Sequence, residues 1–236
     1  MRLNRPLGPI LAITFDLDDT LYDNVPVIAR ADRWFDAALE HHPLLCRRQG
    51  VGARFDEIRG SLALEQPRLE SDVTLFRTEA LRRLFLLFGA GEAQARREAA
   101  LVARRFIAVR SSFAVPQESL ATLRRLGARY RLAAVSNGNA DTVRLGLADV
   151  FAVCLRADRE TLAKPAPDLF LKAAEAMNVR PQQVLHVGDD PVTDVLGARR
   201  AGLVACQVGP GRRRMRNRLL ADIEVDSISE LETILL

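Results

Sequence analysis

Three carboxylates, Asp16, Asp18 and Asp19, fall within four positions where the apolar run of ILAITFDLDDTLYDN (residues 10–24) ends. Like charges crowded at a strand end repel one another and resist leaving water, so a cation should share the place with them. Further along, Ser136 and Asn137 close AAVSN, Lys164 stands in AKPAPDLF, and Asp189, Asp190 and Asp194 punctuate HVGDDPVTD. Carboxylates, a hydroxyl and an ammonium form a set suited to hydrolysing an anionic ester. Hard oxygens with open positions suit Mg²⁺, which takes one or two carboxylates, waters and a substrate phosphate. A phosphomonoester carries about two negative charges, so a carboxylate nucleophile can approach only if cations neutralise it. Lys164 is one of two lysines in a chain that otherwise writes its cations as arginine. A compact point charge differs in shape from an arginine fork, which singles that position out.

The elements that must position these groups follow from periodicity. Residues 10–15, 131–135, 152–155, 183–187 and 203–208 are apolar runs of strand length. Between and before the later runs, VPQESLATLRRLG, KPAPDLFLKAAEAMNV and VTDVLGARRAG show helical spacing, the first with Pro116 near its start and Gly127 at its stop. SISELETILL predicts a last helix. Alternation of strand and helix from residue 116 onward predicts right-handed crossovers and an α/β fold with a parallel sheet covered on both faces. Ligands bind beyond the carboxyl ends of such strands. That places Asp16, Asp18, Ser136, Asn137, Lys164 and Asp189 on one rim.

Between the first and second strands lie about a hundred residues without a strand signal. There Val27, Ile28, Ala31, Trp34, Phe35, Ala38 and Leu39 recur at helical spacing, and residues 72–89 and 92–110 continue in the same manner. Three or four amphipathic helices inserted into the α/β unit form a helical subdomain. Trp34 and Phe35 read as its core, while Arg77 and Arg110 are candidate substrate contacts among many arginines.

Taken in order, DLDDT (16–20), AAVSN (133–137), AKPAPDLF (163–170) and HVGDDPVTD (186–194) resemble the four motifs of the haloacid dehalogenase superfamily. The resemblance runs from about residue 10 to 208. It implies a Rossmann-like catalytic core, residues 1–23 plus 116–236, and an inserted helical cap, residues 24–115. Such a cap would hinge near Asn24–Val25 and Val115–Pro116 and close over a small phosphorylated metabolite. The resemblance further implies Asp16 as nucleophile and Asp18 as acid and base, with Ser136, Asn137 and Lys164 holding the phosphoryl group. Mg²⁺ would be ligated by Asp16, Asp189 and the Asp18 backbone carbonyl, with Thr20, Asp190 and Asp194 in support. Dehalogenation displaces halide from carbon and needs no leaving-group acid, so Asp18 favours phosphate. A phosphomutase shares the machinery and stays open at this point.

Other classes fare less well. Net charge is +4 and the isoelectric point about 9.4, which suits either nucleic acid or small anions. The arginine cluster in GPGRRRMRNRLL, residues 209–220, reads as a solvated basic loop and not as a nucleic-acid site. No apolar stretch reaches the roughly 20 residues of a membrane helix, and the short run after Arg2 and Arg5 is a poor signal peptide. Cys46, Cys154 and Cys206 lack paired spacing and read as reduced core residues of a cytoplasmic protein. His186 reads as a core histidine, and His41 and His42 as surface loop.

Overall fold

In a computed structural model covering residues 1–209 and 221–236, seven strands line up in the order β1-β7-β6-β5-β2-β3-β4. These are β1 (Arg2–Leu3), β2 (Ala12–Phe15), β3 (Arg131–Ser136), β4 (Val153–Arg156), β5 (Val184–Gly188), β6 (Val204–Val208) and β7 (Ile223–Val225). Only β1 runs antiparallel, against β7; every other pair is parallel. The five strands read from the sequence are all present. The structure adds β1, at one edge of the sheet, and β7 beside it. From residue 210 to 220 the basic segment lies outside the described residues.

Side-chain alternation divides the core in two. Ile13, Phe15, Leu132, Ala134, Leu185 and Val187 face one side of the sheet; Ala12, Ala133, Val135 and Val184 face the other. Helices α5 (Gln117–Gly127) and α8 (Leu231–Leu235) cover the first side through Leu123, Leu126, Leu231 and Leu235. Helices α6 (Asp168–Ala176) and α7 (Gly197–Arg200) cover the second through Leu169, Phe170, Ala173 and Ala198. Burying each such Leu or Phe contributes about 1.5–3 kcal/mol relative to leaving it in water. With both faces covered, β2 is buried along its whole length, which is why it reads as an unbroken apolar run.

A separate apolar cluster belongs to the helices between β2 and β3. They are α1 (Val25–Glu40), α2 (Val51–Glu65), α3 (Val73–Leu87) and α4 (Glu92–Arg110). Val27, Ala31, Phe35 and Leu39 form the buried stripe of α1, and Phe35 meets Leu62, Leu81, Phe85 and Phe106 in one cluster. Trp34 packs partly buried at its margin. Arg77 stacks against this cluster: its guanidinium sits 3.5 Å from the Phe106 ring centre and 5.6 Å from that of Phe35. Burial there lowers its pKa to about 10.

Three expectations need correction. Cys206 is buried in β6, but Cys46 and Cys154 are exposed. Cys46 stands in the turn after α1, and Cys154 points outward from the edge strand β4, whose burial alternates. Nor is His42 a surface residue: its ring centre lies 4.6 Å from that of Phe85, and Nε2 faces Glu98 at 3.4 Å. Among the described residues no helix is long and apolar enough to cross a membrane.

Candidate active site

The carboxyl ends of β2 and β5 meet at a buried lysine. Lys164 Nζ donates to Asp16 Oδ1 at 2.7 Å, Asp194 Oδ1 at 2.6 Å and the Val135 carbonyl at 2.8 Å. All three ammonium protons are thereby engaged. Lys164 arrives from the loop before α6, where Asn137 splints it: Asn137 Nδ2 donates to the Lys164 carbonyl, and Lys164 N donates to Asn137 Oδ1, both at 2.8 Å. Asn137 therefore fixes the lysine through its backbone. Ser136, buried at the end of β3, accepts from Gly138 N at 3.0 Å through Oγ.

Asp194 reaches the lysine because the chain after β5 winds unusually wide. Residues Pro191–Leu196 form a π-helical segment in which Val195 N reaches the Asp190 carbonyl five residues back, a winding often found at functional sites. Asp190 caps this segment, accepting from Val192 N and Thr193 N at 2.8 Å; its carboxylate is thus occupied locally. Asp194 Oδ2 accepts from Asp190 N at 3.0 Å. A Cβ on Gly188 would lie 2.6 Å from that same oxygen, so only glycine lets the strand pass so close to Asp194. His186 is fully buried, as read from the sequence, but it also touches the site. Its Nε2 lies 3.2 Å from Asp194 Oδ1 and its Nδ1 2.9 Å from Thr14 Oγ1.

Charge and burial oppose each other here. Burial raises the Asp16 carboxyl to about 7, against the pull of Lys164 and with help from Asp194. Burial works in the same direction on Asp194, but Lys164 and His186 outweigh it and hold that carboxyl below the usual range. For Lys164, burial is overcome by the two carboxylates, which keep the ammonium charged. Oxygen atoms of Asp16, Asp189 and Asp194 all lie within 4.8 Å of one another. Three converging carboxylates make an all-oxygen donor set that fits a hard divalent cation such as Mg²⁺. Asp194, expected in support, therefore lies within the donor cluster itself.

The crowd of carboxylates after β2 is dispersed by its backbone. Asp19 adopts a left-handed conformation, φ 58°, which aspartate tolerates better than most residues. Its Oδ1 accepts from Asn24 N at 2.9 Å at the start of α1. Asp18 points to a different partner from Asp16: the Arg110 guanidinium, reached from the end of α4, forms an ion pair with Oδ2, and Tyr22 OH donates to Oδ1 at 2.7 Å. Arg110 Nη1 also donates to Asn139 Oδ1 at 3.1 Å. Thr20 is buried close by, and its hydroxyl has no hydrogen-bond partner among the described residues. Sequence reasoning named Arg110 only as one arginine among many, and missed Tyr22 and Asn139.

Beside Gly138 and Asn139 opens a cavity of about 640 Å³, lined by Thr74 and Thr78 of α3, Ile107 of α4, and Cys154, Arg156 and Asp158. Its size falls in the range of small-molecule sites, roughly 300–1,000 Å³.

A carboxylate–lysine centre thus stands at the carboxyl edge of a parallel sheet, with Arg110 of α4 reaching it from the inserted helices. A family model for haloacid dehalogenase-like hydrolases matches residues 10–202, and the chain belongs to that family. It is an enzyme of that family's phosphatase type. Over the full length of both chains it is 38% identical to the Escherichia coli 5-amino-6-(5-phospho-D-ribitylamino)uracil phosphatase YigB. It is 31% identical to the glyceraldehyde 3-phosphate phosphatase of Pyrococcus abyssi, over 82% of this chain and 79% of that one. Among solved structures, a 2-haloacid dehalogenase from Pseudomonas syringae superposes with a TM-score of 0.88 at 32% identity, covering 96% of this chain and 98% of the other.

Proposed function

We propose that this enzyme is a Mg²⁺-dependent phosphomonoesterase acting on small phosphorylated metabolites through an aspartyl phosphate on Asp16. The observation that carries the reading is the grouping of Asp16, Lys164, Asp189 and Asp194 at the ends of β2 and β5, beside a cavity of metabolite size. Residues 1–23 and 116–236 act as the catalytic core and 24–115 as the cap, hinged near Asn24–Val25 and Val115–Pro116.

Asp16 attacks phosphorus with one carboxylate oxygen while Asp18 gives its proton to the departing alkoxide. Asp18 then takes a proton from the water that cleaves the aspartyl phosphate and releases inorganic phosphate. Lys164, giving up one of its three present acceptors, and Ser136 hold phosphoryl oxygens, where fixed charge and donors lower the barrier most. Asn137 keeps Lys164 in register, and Thr20 braces the nucleophile loop. Mg²⁺ would be held by Asp16, Asp189, Asp194 and the Asp18 carbonyl, with Asp190 in support. When bound it supplies positive charge that offsets that of the phosphoryl group. The organic part of the substrate occupies the cavity between α3, α4 and β4.

Full-length similarity to YigB makes 5-amino-6-(5-phospho-D-ribitylamino)uracil the first candidate substrate and riboflavin biosynthesis the candidate setting. The similarity to a 2-haloacid dehalogenase raises a second reading. Asp18 argues against it, since halide departs without a proton. A screen of that ribityl phosphate, flavin mononucleotide, sugar phosphates, a phosphopeptide and a 2-haloacid decides between them. Turnover of small monoesters with Mg²⁺, lost in chelator, is the expected result. Efficient turnover of the phosphopeptide alone would contradict the enclosed site, and metal-free release of halide would replace the phosphatase reading.

Burial of Asp16 gives metal binding a pH dependence of defined sign. Its carboxyl, raised to about 7, is largely protonated below that value, and a cation must displace the proton. Apparent Mg²⁺ affinity should weaken about tenfold per pH unit below 7 and level off above it. Calorimetry in buffers of different ionisation enthalpy reads the released proton directly. Equal affinity at pH 5.5 and 8 would show that no carboxyl of the cluster takes up a proton in that range, against the raised Asp16 pKa.

A further inference from the structure

Helix α4 belongs to the inserted layer, yet its last residue enters the catalytic loop. Arg110 is buried, pairs with Asp18 Oδ2 and donates to Asn139 Oδ1 at 3.1 Å. Asn139 in turn donates to Thr74 Oγ1 of α3 at 3.2 Å. Tyr22 OH holds the other Asp18 oxygen at 2.7 Å. A Cβ on Gly138 would lie 2.6 Å from Asp18 Oδ2 and 3.1 Å from Arg110 Nη2, so only glycine leaves room for the pair. Two of the five guanidinium N–H groups are thereby committed to Asp18 and Asn139.

We propose that Arg110 is a positioning residue for the reaction: from the helical layer, and together with Tyr22, it fixes the orientation in which the Asp18 carboxylate faces the leaving group. This rests on the reading of Asp18 as acid and base. Each Asp18 oxygen keeps a further lone-pair direction when its first is taken, and one of these carries the proton that the leaving alkoxide receives. A proton donor that is present but turned away loses its contribution, because general acid catalysis requires hydrogen-bond reach. Asn139 ties the guanidinium to the rim loop and, through Thr74, to α3. Asp18 is therefore held from the helical layer, through Arg110, as well as from its own loop, through Tyr22.

The test compares two esters on the full chain with Mg²⁺ supplied. A sugar phosphate needs its leaving alkoxide protonated; p-nitrophenyl phosphate does not. For Arg110→Lys and Arg110→Gln the first-turnover rate on the sugar phosphate should fall about 100-fold or more. Release of p-nitrophenol in the first turnover should fall less than about tenfold, with KM for both esters within about threefold. Tyr22→Phe, which keeps the ring, should show the same leaving-group selectivity at smaller size, and serves if the Arg110 variants do not fold. Added guanidinium should restore part of the sugar-phosphate rate in Arg110→Ala. Equal losses on both esters, or a rise in KM alone, would overturn the assignment and make Arg110 structural or a substrate contact. Asp18→Asn is measured alongside. If it loses sugar-phosphate turnover while the Arg110 and Tyr22 variants do not, only this proposal falls. If Asp18→Asn keeps that turnover, the acid–base reading falls and takes the proposal with it.

Discussion

Lys164→Met is expected to cost both activity and stability. In activity, loss of the ammonium beside the phosphoryl group should lower kcat by about 10²–10³-fold, the scale seen when one preorganised stabilising group is removed. In stability, the buried Asp16 and Asp194 lose their shared partner, at 2.7 and 2.6 Å respectively. Removing one member of a buried ion-paired group costs about 3–5 kcal/mol, because the remaining charge stays uncompensated. At pH 8 in chelator, where Asp16 of the parent chain is mostly ionised, the denaturation midpoint of the variant should drop, limited by the proton that Asp16 can take up once the lysine no longer holds its pKa down. Added Mg²⁺ should raise the midpoint more in Lys164→Met than in the parent chain, since a cation in the same carboxylate cluster replaces part of the missing charge. Lys164→Arg should not restore kcat, because the planar fork cannot replace a point charge held by three acceptors. An unchanged midpoint in chelator would mean that the lysine is not the counter-charge of the cluster.

Asp16→Asn is expected to remove turnover by about 10⁴–10⁶-fold, as knocking out a nucleophile does in a site whose groups act as a unit. The amide oxygen is a poor nucleophile and cannot form the acyl phosphate. Asparagine is nearly the same size and still offers Lys164 an acceptor, so the denaturation midpoint in chelator should stay close to that of the parent. Lys164→Met and Asp16→Asn thus separate chemistry from folding: one is expected to lose both, the other activity alone. Steady-state release of phosphate, with a melt of the same sample, checks the pair. Residual turnover within about tenfold of the parent would place the nucleophile elsewhere.

Much of the fold was legible because its signals are local. The buried strand β2 shows as an apolar run cut off by carboxylates, and α1 shows its stripe of Val27, Ala31, Phe35 and Leu39 at intervals of four. The chain ends were less legible. Strands of two and three residues carry no periodicity, and β1 and β7 are held by tertiary pairing, with Arg5 paired to the buried Asp222 and Asn4 Nδ2 donating to Glu224 Oε1 at 3.2 Å. In the site, the carboxylates at the strand ends pointed to Asp16 and Asp189, and the family motifs added Asp194 in support. Neither could show that Asp190 turns back onto its own helix or that Asp194 enters the donor cluster, because both depend on the wide winding after β5. The partnership of Asp18 with Arg110 spans 92 residues. Nothing in sequence order distinguishes that arginine from its neighbours; only the docking of α4 against the rim selects it. Arg77, equally eligible by sequence, stacks on Phe106 instead.

The central claim is that phosphate is carried covalently by Asp16. Rapid acid quench of the full chain turning over a small phosphomonoester with Mg²⁺, followed by peptide mass spectrometry, reads it directly. Phosphate on the peptide containing Asp16, present during turnover and absent from Asp16→Asn, is the predicted result. Phosphate on a different residue, or turnover of the same ester with no phosphoenzyme while hydrolysis is slow enough to trap one, would contradict it.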